Sequence, residues 1–130
     1  DRSPSRGLGD VYKRQGHVLA TRRVRDPQTR GVAVLGDMLE LGQDSARLNA
    51  ESGRRAAHAG FDVIIAVGDE AKNIAEGARA EGARVIVSTV EDASGSLGWT
   101  SHDVVLLKAS RGLALERVGR DVFEEREAQA

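Results

Sequence analysis

Four short apolar runs, at residues 32–35, 63–67, 85–87 and 104–107, constrain this chain more than any other feature. They are built from Val, Ile, Leu and Ala and show no polar alternation. Runs this short read as strands buried on both faces. Each stops at small or polar residues: Gly36-Asp37, Gly68-Asp69, Ser88-Thr89 and Lys108-Ala109-Ser110-Arg111. A helical pattern follows each. Strand and helix alternating four times predict an α/β fold with a parallel sheet, helices on both faces and right-handed crossovers. The expected architecture is three-layered and Rossmann-like.

The helices carry small inward residues. Asp44 or Ser45 suits the cap of a helix reaching about residue 59, with Ala46, Ala50, Gly53 and Ala57 on one stripe and Gly60 as its stop. Asp69 suits the cap of a helix over about 70–81, with Ala71, Ile74, Ala75 and Ala78 inward and Gly82 beyond it. Two glycines and two serines make 91–99 a short or irregular helix. A last helix over about 113–126 turns Leu115, Val118 and Val122 inward, and 127–130 should fray.

The chain's 130 residues suit one domain. Aromatics are only 3%, so Val, Leu, Ile and Ala must build the core. The net charge of −1 favours neither nucleic acid nor an anionic membrane as partner. No cysteine is present, which rules out disulfides and thiolate metal sites and suits a reducing, cytoplasmic setting. No apolar run nears the roughly 20 residues of a membrane span. Residues 1–15 are polar, carry Gly, Pro and Ser, and lack a sustained period. They resemble translated sequencing-adapter sequence, and disorder is expected there. Residues 16–25 read as the last turns of a helix, ended by Asp26-Pro27. Residues 16–27 are thus the remnant of a preceding helix or linker, and 28–126 the domain proper.

Chemistry belongs at the carboxyl ends of the strands, where open parallel sheets bind ligands. Lys108, Ser110 and Arg111 put an ammonium, a hydroxyl and a guanidinium between a strand and a helix N-terminus. Such a place favours an anion, and Arg111 is able to grip a carboxylate or phosphate with two parallel hydrogen bonds. The bland reading is a solvated strand end paired with Asp37 or Asp69. Asp37 is equally double. It suits a hydrogen bond from a ribose hydroxyl or a cation, or else a turn cap or an ion pair with Lys108. Glu40 sits in the same apolar-acidic loop and reads as solvent-facing. His17, His58 and His102 lack ligand spacing, so no metal site is expected. Ser110 has no nucleophile-elbow setting. Trp99 reads as core or edge filler.

Absences narrow the choice. There is no G-x-x-x-x-G-K-[ST] phosphate loop and no G-x-G-x-x-G after the first strand. A phosphohydrolase with Asp37 as nucleophile would want a second aspartate two residues on, where Leu39 stands. A free-standing flavodoxin-like module binding a small molecule or nucleotide, and a pure interaction domain, both stay open on these grounds.

Three segments carry a resemblance. They are 32–42 (VAVLGDMLELG), 62–68 (DVIIAVG) with 75–78 (AEGA), and 103–112 (DVVLLKASRG) with 115–118 (LERV). Together they resemble the C-terminal domain of the Mur ligases, in the MurF branch that joins D-alanyl-D-alanine to UDP-N-acetylmuramoyl-tripeptide during peptidoglycan synthesis. The likeness covers about residues 32–123. Many members have glycine where this chain has Ala109. The resemblance implies a mostly parallel Rossmann-like sheet with an antiparallel edge strand, which residues 22–25 or 89–96 would have to supply. It implies a domain that closes on a central ATPase domain. ATP and Mg2+ would be held mainly by that central domain, which this chain lacks, and the UDP-sugar by an N-terminal domain. It implies Asp37 near the nucleotide and Lys108, Ser110 and Arg111 facing the dipeptide and the phosphates. No catalytic or metal residue is expected in this chain, and none of the activity on its own.

Overall fold

The computed structural model describes residues 4–37, 42–109 and 115–129. In chain order they form α1 (Pro4–Arg25), β1 (Arg30–Gly36), a 3-10 turn (Gly42–Asp44), α2 (Ser45–His58), β2 (Val63–Val67), α3 (Ala71–Ala80), β3 (Arg84–Ser88), a 3-10 turn (Ala93–Gly95), β4 (Asp103–Lys108) and α4 (Leu115–Gln129). The four apolar runs are the four strands. The irregular stretch expected over 91–99 contains only the single 3-10 turn. Helix α4 continues to Gln129 rather than fraying after residue 126, because nothing in that tail breaks a helix.

The sheet has the order β3-β2-β1-β4, and every pairing is parallel. The first two crossovers step one way across the sheet and the third jumps back over β1 and β2. A crossover of constant hand must then change faces, and it does. One face packs Ala33, Leu35, Ile64 and Ala66 against α1, α2 and α3 through Tyr12, Leu19, Ala56, Ile74 and Ala78. The other packs Val32, Val34, Ile65 and Val67 against Leu97, Trp99 and the Leu115, Val118 and Val122 stripe of α4. Trp99 is core filler, its indole N–H donating to the Ser94 carbonyl at 2.7 Å. No antiparallel edge strand occurs among the described residues. Residues 22–25 are helical, and 89–96 hold turns.

Helices α2 and α3 lie unusually close. A Cβ on Gly53 would sit 2.0 Å from the Ile74 carbonyl oxygen, and one on Gly77 would sit 1.8 Å from that of Ala50. Only glycine lets each helix rest on the other's backbone. This contact rotates α2 away from the expected stripe. Its buried residues are Leu48, Asn49, Ser52, Gly53 and Ala56, while Ala46 is exposed and Ala50 and Ala57 are half-buried. Apolarity alone did not reveal that face because Asn49 and Ser52 belong to it.

Helix α1 departs from expectation. It begins at Pro4, not near residue 16, and Tyr12 is buried instead of lying in a disordered tail. Proline is tolerated in a first helical turn, and the glycines of this segment cost only about 1 kcal/mol each. The Tyr12 ring joins the α2–α3 core, and its hydroxyl meets Ser52 Oγ at 2.7 Å. Burial, offset in part by that hydrogen bond, pushes the Tyr12 phenol up to about 12.

The amino-terminal rim of the sheet is closed by paired charges. Arg30 on β1 grips Asp103 on β4 with two hydrogen bonds, of 2.8 and 2.7 Å. These residues are register partners. Burial works to raise the Asp103 pKa, but the hydrogen bonds from Arg30 and Thr100 outweigh it and hold the carboxyl below its usual range. Asp62 accepts from the Gly31 N–H at 2.9 Å and from Arg23 at 2.8 Å, which ties α1 to the sheet. Asp26 meets His102 Nδ1 at 2.6 Å, and this contact holds the Asp26 carboxyl low.

Candidate functional site

Because β1 leads right to β2 while β4 lies on its left, the β1–β4 boundary is where the strand order reverses. The carboxyl ends of these two strands border the crevice in which doubly wound sheets bind ligands. Both ends carry residues singled out from the sequence. Leu35 and Lys108 are register partners, and Asp37 follows Leu35 by two residues. The acidic exit of β1 and the basic exit of β4 therefore lie on adjacent strands. Ser110 and Arg111, like Glu40, lie outside the described residues.

Asp37 is 3% exposed. Its Oδ2 accepts the Asp69 N–H at 2.8 Å and its Oδ1 accepts the Glu70 N–H at 2.7 Å. Glu70 is the N-cap of α3 and Asp69 the residue before it, so a carboxylate from another strand sits at the positive end of that helix. Asp69, the expected cap, contributes its backbone and not its side chain. Gly68 makes this possible. Its φ is +102°, and a Cβ there would lie 2.5 Å from Asp37 Oδ1. Among the described residues one donor meets each Asp37 oxygen.

Lys108 is half-buried and makes no ion pair among the described residues. The alternative pairing of Lys108 with Asp37 or Asp69 is thus not what these residues do. An ammonium left without a carboxylate at a strand end is available to an anion.

A polar chain that the sequence reading missed joins this rim. Glu70 accepts from Ser45 Oγ at 3.3 Å and from Asn73 Nδ2. Asn49 Nδ2 donates to the Ser45 carbonyl at 2.8 Å. The only sequence signal was a buried-face asparagine in α2, invisible until the helix's rotation is known. Among the described residues, no group of three His, Cys, Asp or Glu is able to hold a metal ion, and no helix is long and apolar enough to cross a membrane.

Fold and rim together define a doubly wound α/β domain whose candidate binding edge is the β1–β4 switch point. A family model described as Mur ligase, glutamate ligase domain, matches residues 16–111, and the chain belongs to that family. Among solved structures it is similar to the MurF ligase from Thermotoga maritima, crystallised in complex with ADP. The identity is 26% and the TM-score 0.63, over 94% of this chain. The chain spans only 27% of that ligase's length.

Proposed function

We propose that this chain is the closing domain of an ATP-dependent ligase that adds D-alanyl-D-alanine to UDP-N-acetylmuramoyl-tripeptide in the cytoplasm. The observation that carries the reading is the juxtaposition at the switch point of an acidic strand end and a basic one without an ion pair among the described residues, in a chain similar to a MurF ligase crystallised with ADP. The domain proper would occupy residues 28–126, with 16–27 as part of a helix or linker from the preceding domain.

Each residue's role follows from its chemistry. Asp37, already oriented by two backbone N–H groups, would accept a hydrogen bond from a nucleotide ribose. Lys108 would lend charge to phosphate or carboxylate. Arg111 would grip the dipeptide carboxylate with two parallel hydrogen bonds, and Ser110 would meet a peptide group. The described residues do not fit Mg2+, since they offer no cluster of ligands. The chain's sequence likewise has no phosphate loop. Phosphoryl transfer would be the work of the central domain, and closure would bring this rim to it.

Arg111→Ala in the full-length enzyme should raise the apparent KM for D-alanyl-D-alanine severalfold or more. An unchanged KM removes the assignment. This chain alone should form no amide from ATP and the two substrates, and detectable turnover would refute its role as a partial site. A flavodoxin-like module is the second reading. Calorimetric titration separates them, because tight binding of a flavin or nicotinamide by this chain would favour it.

A further inference from the structure

The connection from β1 to α2 leaves the switch point at Asp37 and rejoins the described fold at Gly42. Both ends of that connection are held by one residue. The Glu70 backbone N–H donates to Asp37 Oδ1 at 2.7 Å, at the exit of β1. The Glu70 carboxylate accepts from Ser45 Oγ at 3.3 Å, at the first residue of α2, and from Asn73 Nδ2 in the first turn of α3. Ser45 is steadied in turn by Asn49, fully buried, which donates to its carbonyl.

From this geometry we propose that Glu70 is a positioning residue that holds Asp37 and the start of α2 in one fixed relation. The functional part of the proposal rests on the nucleotide reading of Asp37. Glu70 touches no substrate. It acts by fixing the peptide whose N–H aims Asp37. With both carboxylate oxygens engaged and the residue half-buried, its side chain has little freedom to release that peptide. Alanine at 70 keeps the backbone donor but removes both side-chain anchors, so the first turn of α3 opens more often. Glutamine keeps one acceptor oxygen and should keep most of the constraint. Asp69 supplies the second donor to Asp37 but leaves its own side chain exposed, so it lacks the tie to α2.

Two measurements test this. The first is amide hydrogen exchange in this chain, read by NMR at residues 69 and 70. Glu70→Ala should speed exchange on the order of tenfold, the loss of about one net hydrogen bond. Ser45→Ala should give part of that effect, and Glu70→Gln much less. Unchanged exchange in Glu70→Ala overturns the clamp. The second is steady-state kinetics of the full-length ligase, with Asp37→Ala as control. Glu70→Ala should raise the KM for ATP severalfold with kcat changed less, and Glu70→Gln should restore it. A KM that responds to Asp37→Ala but not to Glu70→Ala overturns the positioning role. If Asp37→Ala leaves KM unmoved, the nucleotide reading of Asp37 falls, and amide exchange alone decides the clamp.

Discussion

The two rims of this sheet carry similar residue types and treat them in opposite ways. At the amino rim, Arg30–Asp103, Arg23–Asp62 and His102–Asp26 are closed pairs that join β1, β4 and α1. At the carboxyl rim, Asp37 spends its charge on a helix N-terminus in another part of the fold, and Lys108 meets no carboxylate among the described residues. A charge neutralised by an opposite charge inside the molecule stabilises it and is lost to ligands, whereas Asp37, met only by two backbone N–H groups among the described residues, is not neutralised. A charge left without an internal partner adds little to folding and is free to bind. The amino rim is thus where this fold is fastened, and the carboxyl rim is where the proposed function places binding.

The contrast is open to attack at several points. Arg30→Ala should have the largest effect on folding. It strands the Asp103 carboxylate, whose side chain is fully buried, and breaking such a pair costs about 3–5 kcal/mol. Urea denaturation measures this, and a loss under about 1 kcal/mol would mean the rim is not fastened there. The same pair sets the acid limit. The folded Asp103 pKa is depressed, so its stabilisation is complete above the ordinary aspartate value of about 3.9. It is lost as pH falls through the lower folded value. Asp103→Asn should flatten the acid arm of the stability profile.

Tyr12 comes next, since it reports whether α1 is part of this fastening. It is the only tyrosine, so absorbance near 295 nm follows it alone. Its midpoint should lie near 12. A pKa raised by folding gives stability that is whole below the unfolded value of about 10 and is lost as pH rises towards 12. A midpoint near 10 would detach α1 from the core.

Smaller effects belong to the carboxyl rim. Asp37→Ala removes the acceptor of two helix-start donors and should cost about 1–2 kcal/mol, visible in thermal melts. Lys108→Ala should change stability by no more than about 0.5 kcal/mol. On the proposed function, the same substitution in the full-length ligase should nevertheless lower kcat/KM. A large stability loss at Lys108 would erase the difference between the rims.

Much of this arrangement was written locally. The apolar runs marked all four strands. Gly60 and Gly82, with φ of +111° and +84°, ended helices where expected, and the Leu115, Val118 and Val122 stripe faced the core. The places of Asp37 and Lys108 at strand exits were legible too, because both lie within two residues of the end of an apolar run. The partners were not. Asp37 meets backbone donors 32 and 33 residues on, Arg30 finds Asp103 across 73 residues, and Glu70 reaches back 25 to Ser45. No local pattern encodes such pairings.

By itself, then, the sequence determined where strands and helices form, which family the β1 and β4 exits resemble, and which charges lie at the exits of β1 and β4. Periodicity and turn chemistry act over a few neighbouring residues, and that is the range a reader of the sequence has. Only the tertiary structure decided which charges are used up and which stay free. It also decided that α2 turns Asn49 and Ser52 inward, because Gly53 and Gly77 let two helices meet backbone to backbone. Those outcomes depend on strand order and close packing between distant segments, which no stretch of chain specifies alone.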